Sequence, residues 1–223
     1  MNNYKLLITA FALIVATGSC QNKSAETSEN QTMQHGDSSV SMDSDSTHAM
    51  ENSDMMMVMS GMMDNMHQMQ MTGNVDVDFA MMMKGHHQGA VDMAQVELKS
   101  GADEKLKLMA QKIIDDQKAE IAELEKFVES HKNAAKNYDS MKKTEGFGKV
   151  MDKNMTMMMD MPKPTAESID TQFVQMMIPH HQSAVYMAEG FIQSGKDPML
   201  ISMAKKMIGA QNKEIEEFKK WNK

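Results

Sequence analysis

Apolar positions recur at helical spacing over most of the chain. Phe79, Met83, Ala90, Ala94 and Leu98 lie three, four or seven residues apart, and Leu106, Met109, Ile113, Gln117, Ile121 and Leu124 continue the rhythm. Such steps place a stripe along one face of an α-helix. Between the two runs stands "SGAD" (100–103), a glycine able to stop one helix and an aspartate able to cap the next. The stretch predicts a helical hairpin. No segment alternates polar and apolar residues over a strand's length, and turn signals are too sparse for β-hairpins.

The same pattern returns 94 residues later. Residues 76–123 superpose without a gap on 170–217, pairing Phe79 with Phe173, His86 with His180, His87 with His181 and Met93 with Met187. Ser100, Gly101, Met109, Gln117, Glu120 and Ile121 meet their identical counterparts Ser194, Gly195, Met203, Gln211, Glu214 and Ile215. A unit of this size buries little on its own, so two hairpins are expected to share one core. The predicted fold is all-α, a four-helix bundle. Methionine-rich stretches precede each hairpin. Met55, Met59, Met62, Met66 and Met69 step by four and three, and Met151, Met155 and Met158 do so more briefly. They predict accessory helices, separated from their hairpins by "TGN" (72–74) and "PKP" (162–164). The expected organisation is 55–132 for one Met-rich helix and hairpin, and 133–221 for a linker and the second set, within one bundle domain.

The first 54 residues read differently. Lys5, an apolar run from Leu6 to Ala16 and small residues before Cys20 form an export leader (1–19), too short in its apolar part for the ~20 residues of a spanning helix. Small residues before a lone cysteine resemble a bacterial lipobox, so Cys20 is expected to carry a lipid anchor; the alternative is an ordinary cleaved leader. Residues 20–54 are polar and short of aliphatic groups, which predicts a flexible tether. Cys20 is the only cysteine, which excludes a disulfide framework. Net charge is −8 and all 23 basic residues are lysine. An acidic chain without arginine is a poor partner for nucleic acid.

Thirty-one methionines against seven Phe, three Tyr and one Trp change the picture from a plain bundle to a candidate for metal chemistry. They gather around "MMKGHHQGAVDMA" (82–94) and "MMIPHHQSAVYMA" (176–188). Residues four apart share a helix face, so Met82 meets His86, Met83 meets His87, Met176 meets His180 and Met177 meets His181. Met93 and Met187 follow two turns after the first histidine of each pair, with Ala90 or Ala184 leaving space between. Adjacent histidines diverge by about 100°, so one of each pair is expected in the core and its neighbour toward a groove. Gly85 and Pro179 precede the pairs and disfavour regular helix, which predicts a kink or a helix start there. Thioether and imidazole together suit Cu(I), and imidazole can also retain Cu(II). Iron in a four-helix bundle would call for Glu-x-x-His, which the chain lacks, and zinc gains little from thioethers. Gln117 and Gln211 could fix an imidazole tautomer from the following helix, or cap a buried polar pair without metal. The Met stripe of 55–69 reads equally as core filling or metal capture.

These two "HHQ" segments, with "SG" and a Gln-containing helix downstream, resemble the bacterial Domain of Unknown Function 305 family over residues 75–221. The resemblance implies a ferritin-like fold and copper binding in the cell envelope, with His86, His87, His180, His181, Met93 and Met187 as site residues. "MKGHH" departs from the "IPHH" of the second half. The expected function is copper capture by an anchored, periplasm-facing or outer-membrane lipoprotein, for tolerance or buffering and without turnover. The alternatives are a copper or ferritin-like oxidoreductase, and a Met-rich module that binds proteins or traps oxidants.

Overall fold

The computed structural model describes residues 54–163 and 168–221. The expected leader, Cys20 and all of the tether but Asp54 lie outside the described residues. Within them the chain is entirely helical: α1 (Asp54–Gln68), α2 (Val75–Ser100), α3 (Glu104–Ser130), α4 (Gly146–Met159), α5 (Ile169–Ser194) and α6 (Pro198–Trp221). This is the all-α, ferritin-like class that the periodicity and the resemblance predict. None of the described helices is long and apolar enough to cross a membrane.

The hairpins α2–α3 and α5–α6 begin where short polar side chains satisfy the free N–H groups of a helix start. Asn74 accepts from Asp76 and Val77, Asp103 from Lys105 and Leu106, and Asp197 from Met199 and Leu200. Gly101 and Gly195 end α2 and α5 with φ of −71° and −66°, so handedness is not what they supply. They supply room. A Cβ on Gly101 would meet Glu97 Oε1, and one on Gly195 would meet the Phe191 ring.

α2 and α5 pack antiparallel through the centre, α3 lying on α2 and α6 on α5. Phe79 near the start of α2 stacks on Phe191 near the end of α5, with centroids 3.9 Å apart and planes 7° from parallel. Two buried aspartates clasp the hairpins together. Asp76 on α2 accepts from the N–H groups of Lys196 and Asp197 in the α5–α6 turn. Asp170 on α5 returns the contact, accepting from Ala102 and Asp103 in the α2–α3 turn. On the outer side α3 and α6 meet through Lys112 and Glu214, 3.0 Å apart, and through the Trp221 indole, which donates to Asp103.

The Met-rich helices are more than accessories. α1 packs against α2 and touches α5, and α4 packs against α5. Met55, Met59, Met62 and Met66 of the seam predicted for α1 are buried, with Met69 partly so. The linker is anchored by Tyr138, whose hydroxyl donates to Asp78 while the same carboxylate accepts from Thr72 and Gly73. Gly73 has φ +83°, a left-handed turn that glycine tolerates best. Pro179 lies inside α5, which continues through it, so no new helix starts there.

A buried position differs sharply between the halves. Glu97 occupies the place that Phe191 fills in the second hairpin and is fully buried. Burial, and after it the Asp170 carboxylate, push its carboxyl up to about 8, so the folded protein holds a proton there that the unfolded chain releases above about 4.5. The stability tied to this proton is complete below pH ~4.5 and lost as pH rises toward ~8. Glu97→Gln should therefore flatten the decline in melting temperature between pH 5 and 8.5, measured by circular dichroism; an unaltered decline would show that Glu97 is not its source.

Candidate metal centre

The four histidines sit midway along α2 and α5. In an antiparallel pair of like helices, a residue can meet its own counterpart only near the point midway along the contact, as on a two-fold axis. His86 and His180 occupy that point, their ring centroids 3.8 Å apart and planes tilted by 37°. His87 lies 6.5 Å from His86, and His181 lies 6.2 Å from His180, centroid to centroid. All four are buried, none more than 1 % exposed. The expectation that one of each pair faces a groove is not met. α3 covers His87 and α6 covers His181, because the outer helices carry a glutamate for each.

Each Nε2 atom has a defined neighbour. His87 Nε2 donates to Glu120 Oε2 at 2.8 Å, and His181 Nε2 donates to Glu214 Oε2 at 2.9 Å. Burial works to raise the Glu214 carboxyl, but the His181 hydrogen bond and the Lys112 ammonium outweigh it and hold it below the usual carboxylate range. His86 Nε2 lies 2.7 Å from Ser183 Oγ. That hydroxyl also lies 2.8 Å from both the His180 carbonyl and Met158 Sδ. With one proton to give and an amide oxygen as the better acceptor, Ser183 donates to the carbonyl and accepts from His86. His180 Nε2 alone faces sulfur, Met62 Sδ at 3.4 Å.

His86 and His180 are held well below the ordinary imidazole value, first by burial and then by neighbouring imidazoles; approach to each other's backbone offsets this only in part. They are neutral at physiological pH, the form in which imidazole ligates metal. The Nδ1 atoms of all four histidines are buried without a hydrogen-bond partner. Where Nε2 carries the proton, as in His86, His87 and His181, Nδ1 keeps its lone pair; in His180, whose Nε2 faces a thioether, the tautomer with the proton on Nδ1 turns the Nε2 lone pair toward Met62. Buried lone pairs left unsatisfied ask for an explanation, and a cation would provide one.

The donor set narrows which cation. Among the described residues no three His, Cys, Asp or Glu side chains converge to hold a metal ion, so no all-nitrogen-and-oxygen cage stands ready. Two ligand atoms that share one ion at about 2.0–2.3 Å each are separated by roughly 3–4.5 Å, and the 3.4 Å between His180 Nε2 and Met62 Sδ falls in that span. Imidazole with thioether is the pairing that a soft cation accepts.

The structure adds neighbours that the sequence did not name to the expected site residues. Met82, Met83, Met93, Met176, Met177 and Met187 are all buried in the core, yet none is hydrogen-bonded to an imidazole among the described residues. Met187 Sδ instead accepts weakly from Asn154 at 3.9 Å. Two sulfurs in contact with the histidines or their serine partner come from the Met-rich helices, Met62 on α1 and Met158 on α4. Gln117 and Gln211 are buried, but the imidazoles of the second histidines turn to Glu120 and Glu214, three residues further along the same helices. The coincidence of those glutamates in the repeat was the available signal. His67 bonds its own helix at Met63 O, and His131 caps α3 while stacking on Phe127.

The two carboxylates differ in burial: the Glu214 side chain is 7 % exposed and that of Glu120 is 26 % exposed. Glu214→Ala would leave His181 and Lys112 without their partner and should cost about 2–3 kcal/mol, whereas Glu120→Ala should cost about 1 kcal/mol because water replaces the carboxylate. Urea unfolding of the two variants checks the order; equal losses would count against it.

Solved structures similar to this chain share its helical arrangement. CopM in the Ag-bound form is 31 % identical, with a TM-score of 0.50 over 69 % of this chain and 96 % of that one. CopM in the Cu(I)-bound form is 30 % identical, with a TM-score of 0.50 over 68 % and 96 %. CopM in the Cu(II)-bound form is 30 % identical, with a TM-score of 0.50 over 66 % and 95 %. No curated protein matches the chain. The family described as "Domain of unknown function (DUF305)" matches residues 18–127 and 76–222, so that each HHQ segment falls within a match, and the chain belongs to that family.

Proposed function

We propose that this protein captures copper, chiefly as Cu(I), at the His-Met centre between α2 and α5, and that it buffers the metal without turning over a substrate. The observation that carries the reading is the approach of Met62 Sδ to His180 Nε2 within a cluster of four buried imidazoles. A thioether beside a neutral imidazole offers two uncharged donors, which suits a soft monovalent ion and adds no charge penalty to the site. His86, His87 and His181 supply further nitrogen within the cluster, and their unpartnered Nδ1 atoms are the lone pairs available to it. Glu120 and Glu214 orient their histidines as the outer partner of a metal-bound imidazole commonly does. Similarity to a protein whose structures carry Cu(I), Cu(II) and Ag supports the choice of metal.

In this reading the protein works in the cell envelope, which the leader-like residues 1–19 support, and a lipid on Cys20 is its anchor. Thioethers suit that oxidising setting, where exposed thiols are lost to disulfides. An oxidase remains the rival function, and no observation at the centre favours it over capture.

Replacing His86, His87, His180 and His181 together by alanine should abolish tight Cu(I) binding in competition with a chromogenic chelator. Unchanged stoichiometry and affinity would overturn the assignment. Cys20→Ala should move the protein from the membrane fraction to the soluble envelope fraction on cell fractionation; retention in the membrane would remove the anchor.

A further inference from the structure

The two halves present their sulfurs to the centre differently, and a single pair of equivalent residues accounts for it. Gly89 of the first repeat stands where Ser183 stands in the second. Met62 of α1 lies over Gly89 so closely that a Cβ there would sit 2.2 Å from its sulfur. Met158 of α4 lies over Ser183, 2.8 Å from the hydroxyl. With only hydrogen at position 89, Met62 drops far enough to face His180 directly. With a hydroxyl at position 183, the matching approach of Met158 to His86 is intercepted, because the oxygen occupies His86 Nε2 at 2.7 Å.

Access follows the same side. A groove of about 540 Å³ opens between α1 and α2, lined by Met57, Met62, Asn65, Met69, Gln88 and Asp92 among others. Met57 is 59 % exposed at this groove, and Met62, nearly buried, forms part of its wall while touching His180. Met62 thus joins this groove to the centre.

We propose that the Gly89/Ser183 difference makes the two half-sites unequal: Cu(I) loads first from the α1–α2 groove onto Met62 and His180, while Ser183 holds His86 away from Met158. This rests on the copper reading above and names the order and inequality within that centre. Ser183 is a positioning residue, acting through the imidazole and the sulfur that it separates.

The test is Cu(I) competition titration of the full chain and of Met62→Leu, Met158→Leu, Ser183→Gly and the Ser183→Gly/Met158→Leu double variant. Leucine keeps volume and removes sulfur, and melting temperatures of the metal-free proteins verify that each variant folds. Met62→Leu should weaken the tightest site by about tenfold or more, the loss expected when a metal site loses even an outer-shell partner, and Met158→Leu should leave it within about twofold. Ser183→Gly should raise affinity at the second site, and in that background Met158→Leu should cancel the gain. Nitrogen-15 NMR of the histidines gives an independent readout: in the metal-free protein Ser183→Gly should shift the His86 Nε2 resonance and leave that of His181 in place. If the parent chain binds no Cu(I), the copper function fails and this inference with it. If the parent binds but Met62→Leu and Met158→Leu lose equally, or Ser183→Gly leaves binding and the His86 resonance unchanged, the inequality is overturned while the copper function stands.

Discussion

Burying four imidazoles at the crossing of α2 and α5 is the constraint to which the rest of the structure answers. A buried polar ring needs a partner for its N–H, and a buried charge needs still more. The chain meets the demand with neutral rings and an oxygen acceptor for three of the four Nε2 atoms. Glutamates on α3 and α6 serve His87 and His181, a serine serves His86, and His180 Nε2 faces only a thioether. Every helix contributes something to this arrangement. The outer helices bring the carboxylates, and the Met-rich helices bring the sulfurs that complete the wall.

The asymmetry of the acceptors matters more than their number. Carboxylates bind strongly to an imidazole N–H and so fix His87 and His181 in orientation. A thioether is a weak acceptor, so the His180–Met62 contact holds little energy while no ion is present and is the easiest of the four to reorganise around one. Rigid second histidines and a loosely satisfied His180 are a sensible division between framework and receptor. The aspartate clasps at the two turns hold that framework in register, since Asp76 and Asp170 each tie the start of one hairpin to the turn of the other.

The repeat is also visible in how the halves differ. Glu97 against Phe191, Gly89 against Ser183 and Gly85 against Pro179 are among the places where equivalent positions carry different chemistry. Gly85 and Gly89 let α1 approach α2: a Cβ at Gly85 would lie 2.5 Å from the Met69 methyl. Ser183, at the position equivalent to Gly89, meets Met158 of α4 through its hydroxyl instead. A duplicated frame thus receives two Met-rich helices with unlike contacts.

Much of this was legible in the sequence. Periodicity of 3–4, the glycine–aspartate turns and the offset of 94 determined six helices, two hairpins and the pairing of equivalent positions, because those signals are local or repeat along the chain. The four histidines were singled out from the repeat, and the structure buries all four around the contact of α2 with α5. Their hydrogen-bond partners were not legible, since a helix stripe shows which face is buried but not which side chain of another helix meets it. Met82, Met83, Met176 and Met177 satisfy the i to i+4 rule with the histidines, yet the sulfur seen within hydrogen-bonding reach of an imidazole is that of Met62, far along the chain from His180. Gln117 and Gln211 share a face with Glu120 and Glu214, and only the packing of α3 on α2 and of α6 on α5 chose the carboxylates. The sequence by itself determined the elements, their duplication and the kind of donor; tertiary structure decided which donor faces which, because that depends on close approach between helices that no spacing along one chain encodes.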